Sequence, residues 1–153
     1  MFTEKEIEKY FEEIESELLK KEKRISVKFG KEWTNQFPAK PAVYMFFEDG
    51  KICYIGETGS IKGRMGDLRN TKNHNLRRNV GAAKFSEHKE YIKASSSRGY
   101  HKEIEEFLNI TLEKNFAVSY FEIQIGRKEF EEWIYTKHNS INKLYNHKGR
   151  RGE

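Results

Sequence analysis

A chain of 153 residues holds one compact domain and not two of ordinary size, and folding at that length buries about 68–70% of its surface, enough for a core without disulfides or a structural metal. A single cysteine, Cys53, excludes an intramolecular disulfide. Lys and Arg number 29 against 24 Asp and Glu, a net charge of +5, and no run approaches the ~18–20 apolar residues of a membrane span; the expectation is a soluble, cytoplasmic protein with one domain over residues 1–153.

Residues 3–23, most of an N-terminal segment 1–24, read as an amphipathic helix with Ile7, Tyr10, Phe11, Ile14 and Leu18 on one side. Thr3 and Glu6 fit a capping box, and the basic run at 20–24 suits the negative end of the helix dipole. Both prolines fall within 33–41, which predicts an extended segment there rather than more helix. Two aromatic and β-branched runs follow, 42–47 (AVYMFF) and 52–55 (ICYI), and the Asp49-Gly50 pair between them predicts a hairpin turn. Residues 56–60 (GETGS) read as a break that ends the second strand. Ile61, Met65 and Leu68 then share a helical face capped by Ser60 or Thr58. Gly63 and Gly66 weaken that helix by roughly 1 kcal/mol each relative to alanine, so it depends on tertiary contacts.

A second basic helix is predicted over 73–84, with Arg77 and Arg78 on its polar face. Residues 95–99 (SSSRG) are a loop by composition, and 101–112 carries Ile104, Phe107 and Leu108 at helical spacing. A third strand at 116–125 is apolar on both sides, a last helix at 126–139 is built on Phe130, Trp133 and Ile134, and the tail 148–153 is expected to fray. Charge follows this order unevenly. Residues 51–102 hold 12 basic against 4 acidic side chains, whereas 1–24 hold 6 against 8 and 103–153 hold 8 against 9. A positive field focused in one third suits a polyanion; a solvated Lys-rich surface is the plainer reading.

Two familiar sites fail in detail. Residues 56–62 (GETGSIK) lie between a strand and a helix, but Gly59 is followed by Ser60 with no adjoining lysine, so the glycines read as turn residues and not as a phosphate loop. One cysteine and five scattered histidines give no zinc-type spacing. A hard cation on a carboxylate and waters leaves no such signature and stays open.

Val43-Tyr44, then nine residues, then Tyr54-Ile55-Gly56, then Arg64 on the following helix, resembles the GIY-YIG nuclease family. Glu131-Glu132-Trp133-Ile134 is similar to that family's glutamate on a helix, Leu144-Tyr145-Asn146 to its closing asparagine, and residues 74–81 (HNLRRNVG) to a block of its small bacterial members. The resemblance spans 42–146, and Ala42 stands where the first motif has glycine. It implies an α/β (α+β) fold, a small three-stranded antiparallel sheet flanked by helices, and divalent-metal-dependent cleavage of DNA phosphodiesters. A methyl group at Ala42 is tolerable in a strand but would hinder a close backbone approach.

Phosphodiester hydrolysis needs an activated water, a neutralised phosphate and a stabilised leaving oxygen. The resemblance makes Tyr44, Tyr54, Arg64, His74, Glu131 and Asn146 the site. Glu131 is the candidate ligand for Mg²⁺ or Mn²⁺, since such ions take one or two carboxylates and keep their waters, with Glu132 as the alternative register. Arg64 would bind phosphate. Tyr44 would act as base or orient water, its phenol drawn toward ionisation by Arg64 and the metal; Tyr54 would contact phosphate or water. His74 would accept the proton from Tyr44 or touch phosphate. Asn146 would pin the glutamate helix or the metal's water shell. Lys62, Arg69, Lys72, Arg77 and Arg78 are the expected contacts to the DNA backbone. Two other readings stand beside this one: a catalytically inactive nucleic-acid-binding module of the same fold, and a subunit whose N-terminal helix pairs with a partner, as in a homodimer.

Overall fold

The computed structural model describes residues 1–146, so the expectation for the tail at 148–153 lies outside the described residues. The protein is mixed α/β, and its described residues form six α-helices around one four-stranded antiparallel sheet of order β1-β4-β2-β3. The fourth strand, β1 (Ile25–Ser26), was not predicted; it is two residues long and pairs only with β4 (Phe116–Glu122).

The hairpin forms where the sequence places it. β2 (Ala42–Glu48) and β3 (Lys51–Thr58) are joined by Asp49 and Gly50, both at positive φ (50° and 84°), the twist a tight hairpin needs. β2 runs between β3 and β4 and is buried on both faces, which is why 42–47 reads as an unbroken apolar run. Ala42, Tyr44 and Phe46 point into one core with Tyr54; Val43, Met45, Phe47 and Ile55 point into the other. Between Phe46 and Phe47 the β2–β3 register slips by one residue, leaving Cys53 as the extra residue of a bulge on the Tyr54 side. β3 does not break at Gly56 as expected. It pairs through Thr58, because Gly56 and Glu57 stay in register opposite Tyr44 and Val43.

Helices cover both faces. α1 (Glu4–Leu19) begins with the expected capping box of Thr3 and Glu6, ends earlier than predicted at a short 3₁₀ turn (Lys21–Lys23), and packs Phe11, Ile14 and Leu18 with Phe130 and Ile134 of α6 (Arg127–Asn139). On the opposite face lie α2 (Lys31–Asn35), α3 (Ile61–Asp67), α4 (Asn75–Phe85) and α5 (Lys102–Asn115). α2 corrects the expected extended segment at 33–41. Trp33 anchors a single helical turn by donating its indole N–H to the Ser26 carbonyl at 2.7 Å and by meeting Phe37 edge-on. α3 survives its glycines because Ser60 caps it, accepting from the Gly63 N–H, and because the N–H groups of Ile61 and Lys62 reach the carbonyls of Lys40 and Pro38.

Asn146 corrects a second expectation. It brackets the backbone of Ile55 on the outer edge of β3, accepting from the Ile55 N–H at 3.0 Å and donating to its carbonyl at 2.7 Å, while Tyr145 N–H donates to Cys53. A side-chain amide thus stands in for a neighbouring strand. Asn146→Ala leaves two buried backbone groups unpaired and is expected to destabilise the fold by about 2–3 kcal/mol in urea unfolding.

Candidate functional site

Tyr44 of β2 sits directly opposite Gly56, and its ring covers that glycine: a Cβ on Gly56 would stand 2.3 Å from the Tyr44 Cζ and Oη. α3 brings Arg64 to the same hydroxyl, Nε donating to Tyr44 Oη at 3.2 Å. The guanidinium is steadied by a bond from Nη1 to the Asn73 carbonyl at 2.8 Å and by Asp67 at 3.6 Å. Tyr54 stacks beside Tyr44 with centroids 6.3 Å apart, and His74 packs against Tyr54 and Phe46 at 6.0 Å from each. Four of the six predicted site residues therefore share one sheet face.

Burial sets their chemistry. Tyr44 is 1% exposed, and removal from water pushes its phenol well above the ordinary range; Tyr54 adds to the rise, and Arg64 pulls down by less. Arg64 alone therefore does not bring Tyr44 toward phenolate against the burial of its hydroxyl. His74 is fully buried. Its Nδ1 accepts from the Leu76 N–H as the cap of α4, so the neutral ring carries its proton on Nε2, which has no partner among the described residues. Burial first, then the cations of Arg64, Arg78 and Arg77, hold its pKa well below 6.5. A ring so placed donates from Nε2 and does not take the Tyr44 proton.

This has a pH signature. Below about pH 6.5 the unfolded chain takes up a proton that folded His74 refuses, so its contribution to stability is complete above that value and is lost as pH falls toward the depressed folded value. His74→Asn keeps a capping oxygen for Leu76 and is expected to flatten the fall in urea midpoint between pH 7 and 5 relative to the parent.

Glu131 comes from the other side of the sheet. α6 packs on β3 and β2 through Phe130 and Ile134, and its first turn is tied to β3 by Arg127, whose Nε meets the Glu57 carboxylate at 3.1 Å. Glu131 follows Arg127 by one helical turn, and Glu57 follows Gly56 by one residue. α6 itself thus packs on the face opposite the Tyr44 ring, and its Arg127 is tied to β3 at Glu57, one residue beyond Gly56. Glu131 is buried and Glu132 exposed. Arg127 and Glu57 were not singled out in the sequence, where neither belongs to a recurring spacing. Among the described residues no three His, Cys, Asp or Glu side chains lie together as a metal cage.

The basic residues divide. Arg69 and Lys72 are exposed and Lys62 half-buried along α3 and the turn after it. Arg78 spends its donors on the Thr71 and Lys72 carbonyls and on Asn75. Arg77 is buried, and as a contact to a nucleic-acid backbone it is ruled out: Nε donates to Thr71, Nη1 to the Leu68 carbonyl and Asn109, and Nη2 to the Glu105 carboxylate and carbonyl. No described helix is long and apolar enough to cross a membrane. Comparison with family models, with curated proteins and with solved structures returns no match.

Proposed function

We propose that the protein is a GIY-YIG-type endonuclease that hydrolyses DNA phosphodiesters with a divalent metal. The observation that carries this reading is the Arg64–Tyr44 hydrogen bond over Gly56, with Tyr54 and His74 stacked beside it, because it joins residues from β2, β3, α3 and the start of α4 at one point beside the most basic third of the chain.

In this reading Arg64, the partly exposed cation of the cluster, binds the phosphate and neutralises the charge that grows on it. His74 donates Nε2–H into the same space. Tyr44 keeps its proton and orients the attacking water, and Tyr54 contacts water or phosphate. Mg²⁺ or Mn²⁺ on Glu131 would supply charge neutralisation at the phosphate and the leaving oxygen. Lys62, Arg69 and Lys72 hold the flanking backbone. The reading as a non-catalytic binding module rests on one observation: the hydroxyl-bearing rings of Tyr44 and Tyr54 are 1% and 6% exposed.

Supercoiled and branched DNA incubated with Mg²⁺, Mn²⁺ or EDTA tests the proposal. Cleavage with either ion, none in EDTA, and a fall of about 100-fold or more in Glu131→Gln are expected. Cleavage that survives both EDTA and Glu131→Gln overturns the mechanism. Salt-sensitive binding without cleavage on any substrate selects the binding module.

A further inference from the structure

The flank of α3 turned away from Arg64 borders a second concavity. Residues of 29–35 before and within α2, with Met65, Gly66 and Arg69, line an open groove of about 170 Å³ between α2 and α3. That is below the roughly 300–1,000 Å³ of pockets for drug-sized ligands, so it takes a fragment such as one base or one phosphate. Its make-up is specific. Phe29 supplies a half-buried ring whose backbone N–H is fixed by the Glu113 carboxylate at 2.7 Å, with the Arg77 guanidinium 5.9 Å from its centroid. Lys31 and Arg69 are exposed cations, and Thr34 and Asn35 add hydrogen-bonding groups. The floor at Gly66 is open: a Cβ there would meet only Thr34 Cγ2, at 3.8 Å.

Resting on the nucleic-acid reading above, we propose that this α2–α3 groove is a nucleotide subsite, which holds one base of the bound strand against Phe29 and the adjoining phosphate on Lys31 and Arg69. Gly66 follows Arg64 by two residues on one helix, so the groove lies about one helix diameter (~10–12 Å) from the Arg64 side. That is a separation of a few nucleotides along one strand from the phosphate at Arg64. The α2 wall, from Phe29 to Asn35, lies before the part of the chain that resembles the nuclease core, whereas Gly66 and Arg69 lie within it. A base held there gives the site a preference for what flanks the scissile phosphate, by stacking and shape.

Gly66→Met plugs the groove from a helix surface with room for a side chain, and its melting temperature is expected to equal or exceed the parent's. Binding of a fluorescent branched DNA and of the same DNA with abasic sites placed two to four nucleotides from its branch point is measured in EDTA. The comparison includes the parent, Gly66→Met, Arg69→Ala and Arg64→Ala. The expected result is about tenfold weaker binding in Gly66→Met and Arg69→Ala, and a loss from one abasic position that the parent shows and Gly66→Met does not. If DNA binds the parent and Gly66→Met binds equally well, the subsite is overturned while the nuclease reading stands. Weakening in Arg69→Ala alone likewise overturns it, leaving only a surface cation. Failure of the parent to bind any DNA removes the nucleic-acid reading itself.

Discussion

Arg77→Ala is expected to destabilise the protein by about 3–5 kcal/mol, a large part of the roughly 5–15 kcal/mol that holds a domain of this size together. The guanidinium is 2% exposed and donates to five acceptors on two segments: Thr71 and the Leu68 carbonyl before α4, and Asn109 and the carboxylate and carbonyl of Glu105 on α5. Thr71 also donates to the Glu105 carboxylate, so one buried network fastens the α3–α4 connection to α5. Removing the cation strands a half-buried carboxylate and several carbonyls, and that penalty exceeds anything the pair contributed over a well-packed apolar substitute. Arg77→Met with Glu105→Gln is therefore expected to recover part of the loss. Urea unfolding followed by circular dichroism reads both; a cost under 1 kcal/mol for Arg77→Ala would show that the network carries no stability. At temperatures where the variant stays folded, the salt slope of DNA binding is expected to match the parent, whereas losing Lys72 lowers it by about one contact.

Gly56→Ala is expected to damage both fold and site. The new methyl would sit 2.3 Å from the Tyr44 Cζ and Oη, and the ring has nowhere to retreat, since it is stacked on Tyr54, meets Phe46 edge-on and belongs to the central strand. Overpacking of this kind costs about 1–3 kcal/mol. The larger effect falls on chemistry, because displacing Tyr44 breaks its bond to Arg64, and a misplacement of about 1 Å can cost 100-fold in rate. Gly63→Ala is the control: its Cβ meets Ser60 Oγ at 3.5 Å, an ordinary contact, so parent-like activity and slightly higher stability are expected. Full cleavage by folded Gly56→Ala would remove Tyr44 from the mechanism.

Local signals in the sequence were reliable where one short-range interaction decides the conformation. Asp49-Gly50, the Thr3–Glu6 box, the Ser60 cap and the Ile61, Met65, Leu68 face are all of that kind, and all formed. β1 and α2 escaped because two residues and five residues are too short to show a period, and both are held by partners distant in sequence. Arg77 misled because charge was weighed above position: Leu76, Arg77, Val80 and Gly81 are one buried helical face, and the arginine lies within it. At Tyr44, spacing reveals the cation of Arg64 but not the depth at which the hydroxyl is buried, and burial outweighs that one cation. The face from which Glu131 approaches is a property of how α6 lies on the sheet, which no residue on that helix encodes alone.

The amide of Asn146 also has a meaning in time. Ile55 and Asn146 lie 91 positions apart, so a ribosome that makes the chain from its N-terminus releases β3 long before the group that covers it. Throughout that interval the outer N–H and C=O of Ile55 are an open template for a neighbouring nascent chain. Closure of this edge of the sheet is therefore a late event of synthesis, later than the pairing of β2, β3 and β4.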